Sequence, residues 1–215
     1  MKNLPALRHL VPAFAIASTL AVGALALPGT VLAQGSAPDM VNVRGQVLGL
    51  SGHTLQVKSR EGKTVNVTLA EGVQIAGVAR ASIGDIQPGS YVGIASLPKS
   101  EGGDGALEVL IFPPALKGSG EGSHAWDLKP NSSMTNATVA NAVKGVDGHT
   151  VTVTYQGKEK KIAIADGTPI VTLAPATAAD LKPNAVVFIP ALKGAKGALS
   201  AQRVVVGTNG IVPPM

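Results

Sequence analysis

One stretch occurs twice in the 215-residue chain and limits what it can fold into. Val47-Leu48-Gly49-Leu50-Ser51-Gly52-His53-Thr54-Leu55-Gln56-Val57 is matched by Val143-Lys144-Gly145-Val146-Asp147-Gly148-His149-Thr150-Val151-Thr152-Val153. In both, alternating apolar positions flank a Ser-Gly or Asp-Gly pair. Glycine supplies the positive φ that a tight hairpin turn needs, so both read as β-hairpins. The match extends past the turn. From Gly62 and Gly157 onward, residues 95 apart correspond: Leu69-Ala70-Glu71-Gly72 falls on Ile164-Ala165-Asp166-Gly167, and Asp85-Ile86-Gln87-Pro88 on Asp180-Leu181-Lys182-Pro183. Gly105-Ala106-Leu107 then meets Gly197-Ala198-Leu199 after a shorter loop. Length changes confined to turns are what a duplicated fold shows.

Each copy spells the same strand order. In the first, residues 41–50, 53–59 and 63–69 read as strands, and Val65, Val67 and Leu69 share one face. The pattern then loosens, and 79–86 is expected to form a short helix or turn ended by Gln87-Pro88-Gly89. Strands near 90–97 and 105–112 follow, closed by Pro113-Pro114. With 26 Gly, 15 Pro and 3% aromatic residues, the core must be built from Val, Ile, Leu and Ala, a mixture suited to short strands.

The expected layout is a signal peptide over 1–33, a flexible leader over 34–40, a first barrel over 41–114 and a linker with Trp126 over 115–136. A second barrel over 137–206 and an extended tail over 207–215 complete it. Lys2 and Arg8 start the signal, Leu10 to Leu27 is apolar, and Pro28-Gly29 breaks it before Val31-Leu32-Ala33. A retained anchor competes with cleavage, because the apolar run is near the lower limit for a bilayer span. The break and the alanine site favour cleavage after Ala33, with a periplasmic or secreted bacterial product and no later membrane span. Without Lys2 and Arg8 the formal charge of +5 drops to +3, too small to indicate nucleic acid. The absence of cysteine excludes disulfides, thiolate metal ligands and a cysteine nucleophile.

Three strands, an irregular link and two strands form the order of an OB-type barrel, and the alternation gives the single buried face that a closed barrel needs. A two-sheet sandwich is the alternative. The fold expected is therefore all-β: two tandem five-stranded OB-like barrels from an internal duplication, preceded by a signal peptide. Gly45-Gln46-Val47, Gly52-His53-Thr54-Leu55-Gln56-Val57, Gly62-Lys63-Thr64-Val65-Asn66-Val67, Asp85-Ile86-Gln87-Pro88-Gly89-Ser90-Tyr91-Val92 and Gly105-Ala106-Leu107 resemble the bacterial secreted OB-like domains of unknown function. The resemblance covers most of both halves and departs at Asn184 and Ala185, where the turn glycine and its polar neighbour are missing. Its motifs are turn and core positions, so it implies a fold and little chemistry.

The chemistry-bearing residues are few. His53 and His149 occupy equivalent turns, each without a second ligand nearby, which reads as solvated imidazole. Glu121, His124 and Asp127 lie close in sequence around Trp126 and are the candidate metal ligands; the competing reading, a packing role for the large indole between the barrels, is favoured. No Gly-x-Ser-x-Gly elbow, His-Glu-x-x-His helix or phosphate loop occurs, so no enzyme and no cofactor are expected. Aromatics are too scattered for a single-stranded nucleic-acid platform. OB precedent points to the loops 50–53, 99–104, 146–149 and 193–196, with His53, Lys99, His149 and Lys196 as binding candidates beside Trp126. The function expected is a non-enzymatic soluble envelope protein that binds a small ligand or an envelope partner, the alternative being a periplasmic metal-binding or metal-transport accessory protein.

Overall fold

The computed structural model describes residues 39–145 and 148–213. The expected signal peptide and most of the leader lie outside the described residues. Asp39 and Met40, expected in the leader, instead open the first strand. The strands are β1 (Asp39–Ser51), β2 (Thr54–Ser59), β3 (Thr64–Arg80), β4 (Tyr91–Pro98), β5 (Asp104–Phe112), β6 (Gly122–Trp126), β7 (Ser132–Gly145), β8 (Gly148–Tyr155), β9 (Lys158–Ile164), β10 (Ile170–Pro175), β11 (Val186–Lys193) and β12 (Leu199–Gly207). The only helices among the described residues are four single turns of 3-10 helix, so the architecture is all-β. Among the described residues no helix is long and apolar enough to cross a membrane.

Five strands close a barrel in the order β1-β2-β3-β12-β11, with β3 and β12 parallel and the other pairs antiparallel. Its core takes Val47, Leu55, Val57 and Val67 from the first copy of the repeat and Val187, Ile189, Val204 and Val206 from the second. Five of the seven remaining strands pair in a matching cycle, β7-β8-β9-β5-β4, in which β5 meets β9 through Asp104 opposite Ile162 and Gly105 opposite Ala163. A second core lies within that cycle, formed by Val92, Ile94 and Val109 with Val139, Val151, Val153 and Ile162.

The tandem arrangement expected from the sequence, with each copy closing on itself over 41–114 and 137–206, differs from these pairings: β1, β2 and β3 close with β11 and β12, not with β4 and β5. The cause is β3, which does not end near Leu69 but runs for 17 residues to Arg80. At about 3.3 Å per residue it spans roughly 55 Å and carries the chain past the end of its own barrel. The 3-10 turn Ile83–Asp85 then delivers the chain to β4 in the other cycle. β10 continues the line of β9 and lies antiparallel to the far half of β3. There Arg80 faces Val171, Ala76 faces Pro175, and Val78 faces Leu173 midway, a pair separated by the same 95 residues as the repeat. The register is thus two-fold symmetric about Val78 and Leu173.

The turns ahead of β4 and β11 repeat the exchange. Val139 in β7 accepts from the Gly89 N–H at 2.8 Å and donates to the Ser90 carbonyl; Val47 in β1 accepts from the Asn184 N–H at 2.9 Å and donates to the Ala185 carbonyl. Gly89 has φ 88° and Asn184 φ 70°. Asparagine is among the few side chains that tolerate this left-handed region, so the missing glycine leaves the turn intact. Ser82 and Thr177, again 95 apart, each donate backbone N–H at 2.8 Å to the carboxylate three residues on, Asp85 and Asp180.

Between the two cycles sits a third apolar cluster of Val78, Leu110, Val171, Phe188 and Val205, joined by Phe112, Trp126, Leu173 and Ile211. Two further expectations change here. The segment 115–136 is not a plain linker, since it contains β6 and the start of β7. The tail beyond Gly207 folds back, with Thr208 donating its hydroxyl to the Val78 carbonyl at 2.8 Å and Ile211 packed on the third cluster.

Candidate functional site

β6 ends where it meets β1, and a group of side chains around Arg44 fixes that meeting. Arg44 is 7% exposed, and its guanidinium donates to the Asp127 carboxylate at 2.7 Å. The same guanidinium lies 5.3 Å from the Trp126 ring centre and 5.1 Å from that of Phe188, within reach of the attraction between a cation and an aromatic face. Asn42 donates to the same Asp127 oxygen at 3.1 Å. Burial on its own raises the Asp127 carboxyl, but the hydrogen bonds from Arg44 and Asn42 and the Arg44 charge outweigh it and hold the group below its usual value. His124 sits edge-on to Trp126 with ring centres 5.8 Å apart.

Beside this staple the outer faces of the two cycles enclose a cleft of about 520 Å³. Its floor is one face of the β6-β7-β4-β5 sheet, with His124, Trp126, Met134, Gly93, Leu110 and Phe112. The opposite wall comes from β1, β3, β11 and β12 through Met40, Ile75, Ala76, Phe188 and Val205. Besides His124, the polar residues around this apolar lining are Asn42, Gln74, Glu108, Ser119, Asn136 and Arg203. The floor is tight at Gly93, where a Cβ would come within 2.8 Å of the Asn136 side-chain oxygen and 3.2 Å of the Phe112 ring, so a larger residue would push the Asn136 amide aside. The volume and the mostly apolar lining with a few polar groups are those of a small-molecule or side-chain pocket. No protein family, curated protein or solved structure matches the chain.

The residues singled out from the sequence fall in several places. Trp126 and His124 line the cleft, and Trp126 joins the third apolar cluster. Glu121 turns away to accept the Gln156 backbone N–H at 2.8 Å, while Asp127 is taken by Arg44. The proposed metal trio is thus not brought together, and among the described residues no group of three His, Cys, Asp or Glu side chains is placed to hold a metal ion. Sequence proximity misled because only His124 belongs to β6: Glu121 precedes the strand and Asp127 follows it, and each is drawn to a different neighbour, Gln156 and Arg44. His53 lies exposed in the turn after β1, and its carbonyl accepts from Leu69 N–H at 2.7 Å. His149 lies in β8 opposite Lys144 and Ile164. Lys99 pairs with Glu101 at 2.9 Å, and Lys196 stands in a turn with φ 56°. None of these four lines the cleft. The loops 50–53 and 193–196 belong to one cycle, and 146–149 and 99–104 to the other; residues 146 and 147 lie outside the described residues.

Missed altogether were Met40, Asn42, Met134, Arg203 and the two phenylalanines of the cleft. The available signal was rarity: Phe112 and Phe188 are two of only three phenylalanines, and aromatic residues concentrate where large apolar area is needed.

A second polar group of residues binds β4, β5, β7 and β9. Lys160 donates to Asp104 at 2.8 Å, Ser133 at 3.1 Å and Thr135 at 3.3 Å, while the Ser96 hydroxyl donates to Asp104 at 2.6 Å. Lys160 in β9 thus reaches β5 and β7 at once, and Ser96 in β4 shares the same carboxylate, so the group clamps four strands together. Burial raises the Asp104 carboxyl, and Lys160 and Ser96 more than offset it, leaving the group below its usual value.

Proposed function

We propose that the chain is a non-enzymatic binding module of the bacterial envelope, and that the cleft between its two OB-like rings takes an apolar group. The ring assignment extends the closed barrel to the second cycle, and the duplicated sequence supports it. The secretory layout of residues 1–33 supports the location, and the resemblance to secreted OB-like domains agrees with it. The observation that carries the binding reading is the cleft of about 520 Å³, apolar on both walls and floored by the only tryptophan.

That tryptophan makes the reading simple to test. Titration with 8-anilinonaphthalene-1-sulfonate and a panel of small aromatic and aliphatic compounds should change Trp126 emission with saturable binding. Ala76→Leu, which fills the wall, should weaken binding about tenfold through lost volume and contact area. Binding equally strong in Ala76→Leu would place the site elsewhere.

A further inference from the structure

We propose that the natural occupant is an extended peptide segment of a partner protein that adds as a strand to the open edge of β6 and sets an apolar side chain into the neighbouring cleft. The proposal rests on the cleft reading for its pocket and goes beyond it in naming the occupant.

Every other described strand has a neighbour on both sides. Among the described residues β6 alone pairs on one side, with β7. The alternation of an antiparallel ladder decides which of its groups are open. Val139 of β7 directs its N–H and C=O toward the Gly89-Ser90 turn ahead of β4. Alternate residues of β7 therefore face β4, while Ser132, Met134 and Asn136 face β6. Their partners Trp126, His124 and Gly122 use their backbone groups inward, and Ser123 and Ala125 turn theirs away from β7. Ser123, His124 and Ala125 are exposed. Edge strands usually carry lysine, proline or a bulge that blocks further pairing, and Gly122-Ser123-His124-Ala125-Trp126 has none.

A second, independent observation selects the partner. His124 and Trp126 lie on the same face of β6 and both line the cleft. A strand laid along this edge would send alternate side chains onto that face, at the mouth of an apolar space. A row of backbone donors and acceptors beside an apolar pocket is matched by an extended peptide with an apolar side chain, in the manner of strand addition. A small molecule fills the pocket but leaves the edge open.

The test uses the full chain and short random peptides displayed on phage. Peptides carrying a large apolar residue should be enriched, and a selected peptide should bind saturably by Trp126 emission. Methylating, one at a time, the amide nitrogens of the peptide should weaken binding about tenfold at alternate positions, because each removes one ladder hydrogen bond without altering the protein. Ala125→Pro, which removes an outward N–H, should weaken peptide binding similarly while leaving anilinonaphthalene binding unchanged. Peptide binding indifferent to both changes overturns strand addition. Dye binding with no enriched peptide overturns the peptide and leaves the cleft reading standing, and loss of both removes the two together.

Discussion

Asp104 and Asp127 hold cations that are distant in sequence, Lys160 and Arg44; the first pair ties one copy of the repeat to the other, and the second ties the segment between the copies to the first. Both carboxyls sit below their usual value because hydrogen bonds and a facing cation outweigh burial. A carboxyl whose pKa falls on folding adds stability that is present above its unfolded value, about 3.9, and lost as pH falls through the folded one. Urea unfolding should therefore show stability declining below about pH 5. Asp104 is 15% exposed, so Asp104→Asn should cost about 2 kcal/mol at pH 7, less than breaking a fully buried pair. It should also flatten the decline at low pH, since one of the titrating groups is gone. Stability equal to the wild type at pH 7 would show that the clamp contributes nothing. Asp127 is 52% exposed and screened by water, and its replacement should matter less.

At the scale of strands, the exchange between copies is the feature the sequence conceals. Alternation disclosed most of the strands in 41–112, because it is a local pattern. Which strand closes which cycle depends on the length of β3, and its far half, Gln74 to Arg80, lacks clean alternation because both of its faces meet protein: Ile75 packs on the first core and Val78 in the third cluster, while Gln74 and Ala76 line the cleft. The hairpin match was also imperfect. Val47 opposes Val57 and is followed by a register shift, and it is Val139, not Val143, that opposes Val153 and is followed by the same shift. The glycines of the turn aligned the copies, while the first strand of the second copy is longer. The cleft was legible only through Trp126 and His124; its other wall required knowledge of which sheets face one another. Absence of cysteine permits a direct check of the exchange. Met40 lies opposite Leu192 in the β1–β11 pair. Met40→Cys with Leu192→Cys should form a disulfide on mild oxidation, seen as a linked peptide pair after digestion. Free thiols under those conditions would mean that β1 has another neighbour.

For the whole molecule, exchange makes the barrel and the second cycle of strands interdependent. Neither copy contains the strands that its own first three require, and the β3–β10 crossing lies at the centre of the third apolar cluster. Cutting the connection between copies therefore has a definite consequence. Residues 117–120 are exposed, and a specific protease site inserted between Gly118 and Gly120 would break the chain after β5 and before β6. The nicked protein should elute as one species of unchanged size, because β1, β2 and β3 still need β11 and β12, and β4 and β5 remain paired with β7 and β9. It should unfold in one transition, at a concentration-dependent midpoint, since association of the two fragments has become part of folding. Each fragment alone would expose a row of unpaired strand groups and half of two apolar cores, and should be unfolded or self-associated. Two separate folded fragments from the nicked chain would show instead that each copy completes its own barrel.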